Sequence, residues 1–264
     1  SSATGNSVSQ ISKLFSIEKE ETCLECGFLW HKATRISKDL NIKSEIINFV
    51  PVTEDKVELM KVKLTNLGGE GVFITPTAAI PIYGRSADNL RDHRHVTSLL
   101  NRINTNTYGV SLNPTLTFDE RGHKKNEISY LIIGSEANGN PPIGFFPDVE
   151  GFLGEGGTYD WPKSIVNNDP PTYISKQTVD GYEAVGAIRF EKVLLEPNES
   201  KTYIIAMIIN EDHDNDYFAQ NYLSEEKFDL HLKENEIHWE NELGKLKFSS
   251  ADKRFDSWSK WVTI

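Results

Sequence analysis

The sequence has 264 residues, of which 38% are hydrophobic and 25% are charged, a composition that is ordinary for a globular chain and too apolar for a disordered one. Its 39 acidic and 28 basic residues give a net charge of −11, which argues against a nucleic acid or an anionic membrane surface as partner. No apolar run reaches the roughly 18 residues that a transmembrane helix needs, and the small, polar residues 1–10 do not resemble a signal peptide.

The two cysteines, Cys23 and Cys26, form a single C-x-x-C motif near the N-terminus. A zinc site needs two more ligands, of which His31 is one candidate, and a thioredoxin-like site needs a βαβ setting that the sequence does not show. We therefore predict two reduced thiols, with neither a metal nor a cofactor. Such sparse cysteine usage fits a cytoplasmic protein.

Residues 45–211 have the pattern of β-strands. Apolar residues alternate over residues 57–64, with a slip at Leu59 and Met60 that predicts a β-bulge. Gly68 and Gly69 then predict a turn before a second apolar run at residues 72–82. Further strands are predicted at residues 96–103, 110–118 and 128–133.

The strongest hairpin pattern lies at residues 187–209. Residues 187–195 and 201–209 are rich in Val, Ile, Tyr and Phe, and the turn formers Pro197 and Asn198 separate them. Many short strands at this spacing predict a mainly β protein with a large antiparallel β-sandwich, here assigned to residues 1–220.

Residues 221–264 are predicted to form a helical linker. Ser224 can cap a helix whose first turn holds Glu225 and Glu226. One apolar face then follows at helical spacing, formed by Phe228, Leu232, Trp239, Leu243 and Leu246. After a break at residues 248–251, three aromatic residues recur every third position and need a partner surface, so we expect the chain to continue in a longer parent protein. These aromatic residues are Phe255, Trp258 and Trp261.

Residues 83–95, YGRSADNLRDHRH, form the most highly charged segment between two apolar runs. Arginine guanidinium groups donate paired hydrogen bonds to phosphate or to sugar hydroxyls, and carboxylates and Asn side chains accept hydrogen bonds from hydroxyls. The candidate substrate-binding residues are Arg85, Asp88, Asn89, Arg91, Asp92, His93 and Arg94. A salt-bridge network that docks another domain explains the same residues equally well. A metal site at His93 and His95 is less favoured because no third ligand is apparent.

Residues 118–126, FDERGHKKN, place Gly122 in a charged turn between two predicted strands. The favoured interpretation is a solvated hairpin tip. Asp119, Glu120 and His123 are acid–base candidates only if they converge in space.

Residues 141–162 combine aromatic residues and carboxylates in a segment whose prolines and glycines predict no regular helix. Such a mixture suits neutral sugars, although an ordered loop with its own small aromatic core is favoured slightly. The aromatic residues are Phe145, Phe146, Phe152, Tyr159 and Trp161, and the carboxylates are Asp148, Glu150, Glu155 and Asp160.

Four long blocks of the sequence are TPTAAIPIYGRSADNLRDHRHVTSLLNRI, PTLTFDERGHKKNEISY, PPIGFFPDVEGFLGEGGTYDWP and GYEAVGAIRFEKVLLEPNESK. These blocks resemble the phosphorylases of glycoside hydrolase family 94, and the cellodextrin and cellobiose type most of all. The terminal FDSWSKWVTI resembles the segment that leads into the family's catalytic domain.

The resemblance implies a supersandwich domain, related to the galactose mutarotase fold, then a helical linker and an (α/α)6 catalytic barrel. In this family inorganic phosphate, a co-substrate, attacks a β-glucoside with inversion and releases α-glucose 1-phosphate. The general acid lies in the barrel, so no catalytic residue is carried over to this chain, which is expected to be inactive alone.

The resemblance also implies a homodimer in which the sandwich of one subunit approaches the sugar site of the other. The loop of residues 85–95 is then the candidate that shapes this site, with the barrel, a second subunit and a β-gluco-oligosaccharide as partners. Two alternatives are a stand-alone carbohydrate-binding module, based on residues 141–162, and a mutarotase-like epimerase. The epimerase would need a His and Glu pair in one pocket, with His93, His95 and His123 as candidates.

Overall fold

The architecture is that of a computed structural model, which describes residues 2–4, 7–9, 20–84, 98–119, 122–211, 215–245 and 249–262. Its strands are β1 Ser2–Thr4, β2 Ser7–Ser9, β3 Glu20–Gly27, β4 Trp30–Ser37, β5 Ile42–Phe49, β6 Val57–Asn66, β7 Val72–Ile74, β8 Thr77–Ile82 and β9 Arg102–Thr105. They continue as β10 Gly109–Leu112, β11 Leu116–Asp119, β12 Gly122–Lys125, β13 Ser129–Glu136, β14 Gly144–Asp148, β15 Thr178–Asp180, β16 Ala184–Arg189, β17 Val193–Leu195 and β18 Ser200–Asn210. The helices are α1 Val149–Leu153, α2 Lys163–Val166, α3 Asn215–Tyr222, α4 Glu225–Gly244 and α5 Lys253–Trp261.

A large antiparallel sheet dominates the fold and confirms the mainly β prediction. Its nine strands run in the order β15-β9-β10-β13-β18-β6-β5-β4-β3. A three-stranded sheet, β14-β16-β8, forms the second layer, and small pairs are made by β7 with β17, β11 with β12 and β1 with β2.

The central strands of the large sheet are apolar on both faces because both faces are covered. On β6, Val57 and Leu59 join the core beneath the helices, whereas Met60 and Val62 face the core between the sheets. The register of β6 with β5 and β18 is continuous through Leu59 and Met60. The predicted bulge is therefore wrong, since adjacent apolar residues need no bulge in a strand that is buried on both sides.

The core between the two sheets requires a close approach of their backbones. Phe145 and Ile188 of the small sheet pack there with Ile103 and Ile205 of the large one. Gly186 in β16 lies so close to β13 that a Cβ atom would stand 2.3 Å from the Cβ atom of Ile132. Glycine at this position therefore sets the distance between the layers.

Helices α3 and α4 cover the outer face of the large sheet. The N-cap residue Ser224 accepts a hydrogen bond from the backbone N–H of Lys227, as predicted, and Phe228 is fully buried against Phe49. Lys61 of β6 approaches the ring of Phe228 and pairs with Asp229, which fixes the start of α4 on the sheet. The helix predicted after Ser224 is confirmed; Leu246 lies outside the described residues.

The outer face of the small sheet carries α1 and α2. Phe146, Phe152, Ile165, Val185 and Ala187 form a separate small core there. The prediction that residues 141–162 contain no helix is wrong over Val149–Leu153, because Asp148 caps a short helix that ends at Gly154 before the glycine-rich stretch. The favoured ordered segment with its own aromatic core is confirmed.

The predicted hairpin at residues 187–209 is also wrong. β16 pairs with β14 and β8, β17 pairs with β7, and β18 pairs with β13 and β6. The turn at Pro197 and Asn198 is present, with Asn198 at a φ of 65°, but the strands that it joins belong to different sheets. β16 and most of β18 are buried on both faces, so neither shows the one-sided alternation that is typical of a hairpin strand.

Proline residues divide two of the predicted strands. The run at residues 72–82 splits into β7 and β8 at Pro76, and the run at residues 110–118 splits into β10 and β11 at Pro114. The strand predicted at residues 96–103 begins only at Arg102, since Ser98, Leu99 and Leu100 form a turn. Residues 128–133 lie in β13 except for Ile128, one residue before its start.

Helix α3 spans the boundary predicted between residues 220 and 221, and the division into two domains stays a prediction.

Candidate functional site

The candidate substrate-binding residues all lie in one segment of which the structure describes only the two ends. Arg85, Asp88, Asn89, Arg91, Asp92, His93 and Arg94, together with His95, lie outside the described residues. The departing end is Tyr83 and Gly84, which follow β8, and the returning end is Ser98 and Leu99. The described part of the candidate site therefore consists of the residues that hold these two ends.

The departing end leaves the small sheet under close packing. Gly84 lies against Leu112 and Pro114, and a Cβ atom on it would stand 2.8 Å and 2.7 Å from their side chains. Tyr83 beside it exposes 56% of its surface. The chain thus leaves the sandwich at a fixed point with an aromatic ring open to solvent.

The returning end is held by Arg102 and Asn101. The Arg102 guanidinium donates Nη1–H to the carbonyl oxygens of Leu99 and Asn101 at 3.1 and 2.9 Å, and its Nε lies 3.7 Å from a carboxylate oxygen of Asp180. The Asn101 side chain donates to the carbonyl oxygen of Tyr182 at 2.8 Å. Both ends of the segment therefore reach the same edge of the sandwich, since Tyr182 precedes β16 and Ala184 pairs with Ile82 at the end of β8.

This edge, which we call the loop-base edge, comprises Tyr83, Asn101, Arg102, Asp148, Tyr173 and Tyr182. Asp148 is buried, and its carboxylate accepts a hydrogen bond of 2.6 Å from the N–H of Gly151. Burial raises the pKa of the Tyr173 hydroxyl, and the negative charge of Asp148 raises it further. The tyrosine therefore stays a neutral hydrogen-bonding group, and the edge offers aromatic rings, hydroxyls and one fixed cation.

Residues 141–162 divide into a buried and an exposed part. Phe145, Phe146 and Phe152 are core residues, whereas Tyr159 and Trp161 expose 43% and 39% of their surface. Tyr159 and Trp161 are therefore the partly exposed rings of this segment. Sequence patterning could not separate the two groups because no regular element runs through the whole segment.

The charged segment at residues 118–126 forms a hairpin, as the favoured interpretation predicted. β11 and β12 pair in an antiparallel register, with Gly122 at a φ of 110°. Glu120 lies outside the described residues, as do the side chains of Asp119 and His123. Convergence of the three acid–base candidates stays a prediction.

The cysteines lie on β3, and both are free and exposed. Residues three apart on a strand point to opposite faces, so Cys23 and Cys26 are not placed to share a metal ion. In the part of the chain that the structure describes, no group of three or more His, Cys, Asp or Glu residues is arranged to hold a metal.

The aromatic tail forms α5, with Asp252 as its N-cap. The three aromatic residues of the tail are partly exposed, as expected for rings that need a partner surface. The exposed fractions are 49% for Phe255, 58% for Trp258 and 41% for Trp261. The ring of Trp261 lies 5.2 Å from that of Phe28 at the tip of the β3–β4 hairpin. Sequence reasoning missed Phe28, although two apolar residues in a hairpin turn, Phe28 and Leu29, are an unusual choice.

None of the described helices is both long and apolar enough to cross a membrane.

No curated protein matches the chain. Several solved structures match it with low similarity. A polysaccharide lyase has 11% identity and a TM-score of 0.37, with 70% of this chain and 22% of that chain covered.

A human-microbiome protein named as a kojibiose phosphorylase has 11% identity and a TM-score of 0.34, with 83% of this chain and 21% of that one covered. The GH36 α-galactosidase AgaA of Geobacillus stearothermophilus has 12% identity and a TM-score of 0.30, with 73% of this chain and 26% of that one covered. The chain thus spans about a quarter or less of the length of these structures. The family model of the glycosyl hydrolase 94 supersandwich domain matches residues 2–228, and the chain therefore belongs to glycosyl hydrolase family 94 as a supersandwich domain.

Proposed function

We propose that the chain is the non-catalytic N-terminal domain of an inverting glycoside phosphorylase that acts on β-glucosides of the cellobiose and cellodextrin type. The match of the supersandwich model to residues 2–228 carries this proposal. The resemblance of the blocks at residues 75–103 and 141–162 supports the substrate type. In the parent enzyme, phosphate would be the second substrate and α-glucose 1-phosphate the product.

The role that we propose for the domain is to shape the sugar site and to support a dimer. The loop of residues 85–95 leaves and re-enters the sandwich at the loop-base edge, where Gly84 and Arg102 fix its two ends. A loop whose two ends are fixed has fewer conformations available, so less entropy is lost when its side chains contact a sugar or a neighbouring subunit. The guanidinium groups of the three arginines in this loop suit sugar hydroxyls and phosphate.

The chemistry itself is assigned to the (α/α)6 barrel of the parent. The exposed rings of α5 and the contact between Trp261 and Phe28 support a docking role for the tail against that barrel. The two free thiols support a reducing, cytoplasmic compartment.

The test is phosphate release from α-glucose 1-phosphate with cellobiose as acceptor, measured for the parent protein and for this chain alone. We expect turnover by the parent and none by the chain, because the general acid lies in the barrel. Turnover by the repurified chain would contradict the non-catalytic assignment. A parent that shows no phosphate release with glucose, cellobiose or longer cellodextrins would contradict the substrate type.

A further inference from the structure

We propose that a pocket between α3, the start of α4 and two turns of the large sheet binds a small neutral sugar of one or two rings. The pocket has a volume of about 320 Å³, and the two turns lie before β10 and after β13. Small-molecule sites commonly have volumes of about 300–1,000 Å³, so the pocket suits a ligand at the small end of that range. The ligand class is argued from the pocket itself, and only the choice of gluco-sugars as probes rests on the proposed function.

Helix α3 forms one wall of the pocket with a face that is half apolar and half polar. Residues at helical spacings of three and four share this face, and they are Asp216, Ala219, Gln220 and Leu223. Leu223 continues the last turn of α3, since its N–H donates to the carbonyl oxygen of Ala219 at 3.1 Å. Ala219 and Leu223 expose only 7% and 3% of their surface, whereas Asp216 and Gln220 are exposed. The pocket therefore has an apolar base and a polar rim.

The wall formed by the turn after β13 is fixed to the start of α4. The N–H of Glu225, the first residue of α4, donates to the carbonyl oxygen of Ala137 at 2.9 Å. The side chain of Asn138, which lines the pocket, accepts a hydrogen bond of 3.1 Å from the N–H of Asn140. These bonds set the shape of the pocket before a ligand enters, so binding loses little conformational entropy.

The charges of the pocket favour a neutral ligand over an anion. Among the described residues, Asp216 and Lys227 are the charged side chains of the lining, so its net charge is zero. The Lys227 ammonium group donates to the carbonyl oxygen of Gln220, one of the last carbonyl groups of α3, which have no partner within the helix. A phosphate or carboxylate would have to compete with this hydrogen bond while approaching the carboxylate of Asp216. A ligand without charge meets neither obstacle.

The polar groups of the rim match the hydroxyls of a sugar, which both donate and accept hydrogen bonds. The carboxylate of Asp216 accepts, and the amide groups of Asn138 and Gln220 can each donate and accept. Tyr108, from the turn before β10, adds a ring with an apolar face and a hydroxyl at its edge. Several convergent polar groups around an apolar base are the usual composition of a small-molecule site. The C–H face of a pyranose ring complements such a base.

The experiment is a titration of the intact chain with glucose, with cellobiose and, as the anionic counterpart, with α-glucose 1-phosphate, followed by NMR of the backbone and side-chain amide signals. We expect saturable shifts of the Gly139 and Gln220 signals with the neutral sugars and weaker binding of the phosphate ester. Gln220→Ala should weaken binding about tenfold, a factor that corresponds to about 1.4 kcal/mol, and Asp216→Asn should weaken it in the same direction. The melting temperature should rise with sugar concentration, because the ligand binds the folded chain.

The matched control is Asn221→Ala, which removes an exposed amide side chain at the next position of α3, outside the lining of the pocket, and should leave the affinity unchanged. Circular dichroism verifies that each variant is folded. The proposal is overturned if neither neutral sugar gives saturable shifts, if the phosphate ester binds more tightly than glucose, or if folded Gln220→Ala and Asp216→Asn both bind as the unaltered chain does. Phosphate release by the parent is a separate measurement, so failure of this site and failure of the proposed function are distinguishable.

Discussion

At the scale of single residues, Glu45 of β5 is a carboxylate of the large sheet that pairs with two lysines. Its oxygens lie 3.1 Å from Lys32 Nζ and 2.9 Å from Lys43 Nζ, and Lys32 also pairs with Glu25. Burial alone would raise the pKa of Glu45, but the hydrogen bonds from Lys43 and Lys32 outweigh it and hold the pKa below its ordinary value. The hydrogen bond with Glu45 also raises the pKa of Lys32.

This arrangement predicts how stability changes in acid. A carboxyl group with a lowered folded-state pKa stabilises the fold above its ordinary pKa of about 4.5, and that stabilisation is lost as the pH falls through the folded value. We therefore expect the urea midpoint of the unaltered chain to fall more steeply below pH 5 than that of Glu45→Gln. Glu54→Gln, at an exposed loop position, is the control. An equally steep fall of the urea midpoint below pH 5 for the unaltered chain and for Glu45→Gln would contradict the prediction.

The spacing between the two sheets gives a second prediction at this scale. Gly186→Ala would place a Cβ atom 2.3 Å from the Cβ atom of Ile132, so the sheets must move apart or the strand must bend. We expect a loss of about 1–3 kcal/mol in the free energy of unfolding, measured by urea denaturation. Gly69→Ala, where the added Cβ atom would meet nothing within 4 Å, should change stability by much less. Equal losses for the two variants would argue against close packing of the sheets.

At the scale of elements, the helices were more predictable than the strand pairing. The cap at Ser224 and the spacing of Phe228, Leu232 and Trp239 are local signals, and α4 forms where they predict it. Strand pairing is not local. The strands β16, β17 and β18 follow one another in the sequence, yet they belong to three different sheets. In β16 and β18 two buried faces remove the alternation that would indicate which layer a strand joins, and the three residues of β17 are too few to show it.

The same reasoning explains which parts of the candidate site the sequence could locate. The charge density of residues 83–95 marked the segment itself. The residues that hold its ends, Arg102 and Gly84, carry no motif, since their role depends on contacts with Leu99 and Pro114 that are set by the fold. Likewise, Tyr159 and Trp161 separate from their buried neighbours only when Asp148 and α1 are in place.

The tail gives a prediction for one element. Trp258 of α5 exposes 58% of its surface, whereas Phe228 of α4 is fully buried. We expect Trp258→Ala to cost less than about 0.5 kcal/mol of unfolding free energy. Phe228→Ala, the comparison within the core, should cost about 3–5 kcal/mol. A loss of several kcal/mol for Trp258→Ala would show that α5 is an integral part of the sandwich and not a surface for another domain.

At the scale of the whole molecule, the fold brings two surfaces of different chemistry onto one scaffold. The loop-base edge fixes a segment with three arginines, and the turn at residues 158–161 presents two aromatic rings. The two are connected through the small sheet, since Asp148 belongs to the loop-base edge and also caps α1, which leads to that turn.

The arginines of the loop provide the test at this scale. So many charges cannot be buried without partners, because each unpaired charge would cost several kcal/mol. Either they pair with Asp88 and Asp92 inside the domain, or at least one faces a partner subunit and its sugar, which is the arrangement that we propose. In the parent enzyme, Arg85→Ala, Arg91→Ala and Arg94→Ala should then lower kcat/KM while the melting temperature stays within about 2 °C of the unaltered enzyme.

The decisive comparison for these three variants is the melting temperature against kcat/KM of the folded fraction, with phosphate release as the readout. Lys56→Ala, which removes an exposed cation that precedes β6 and pairs with Glu211 at 3.3 Å, is the matched control and should change neither quantity much. A fall in kcat/KM for at least one arginine, without a fall in melting temperature, supports the contact with substrate or partner subunit. If all three variants lower the melting temperature and leave kcat/KM unchanged, the loop is a structural salt-bridge network, and the residues from Arg85 to Arg94 do not form the sugar site.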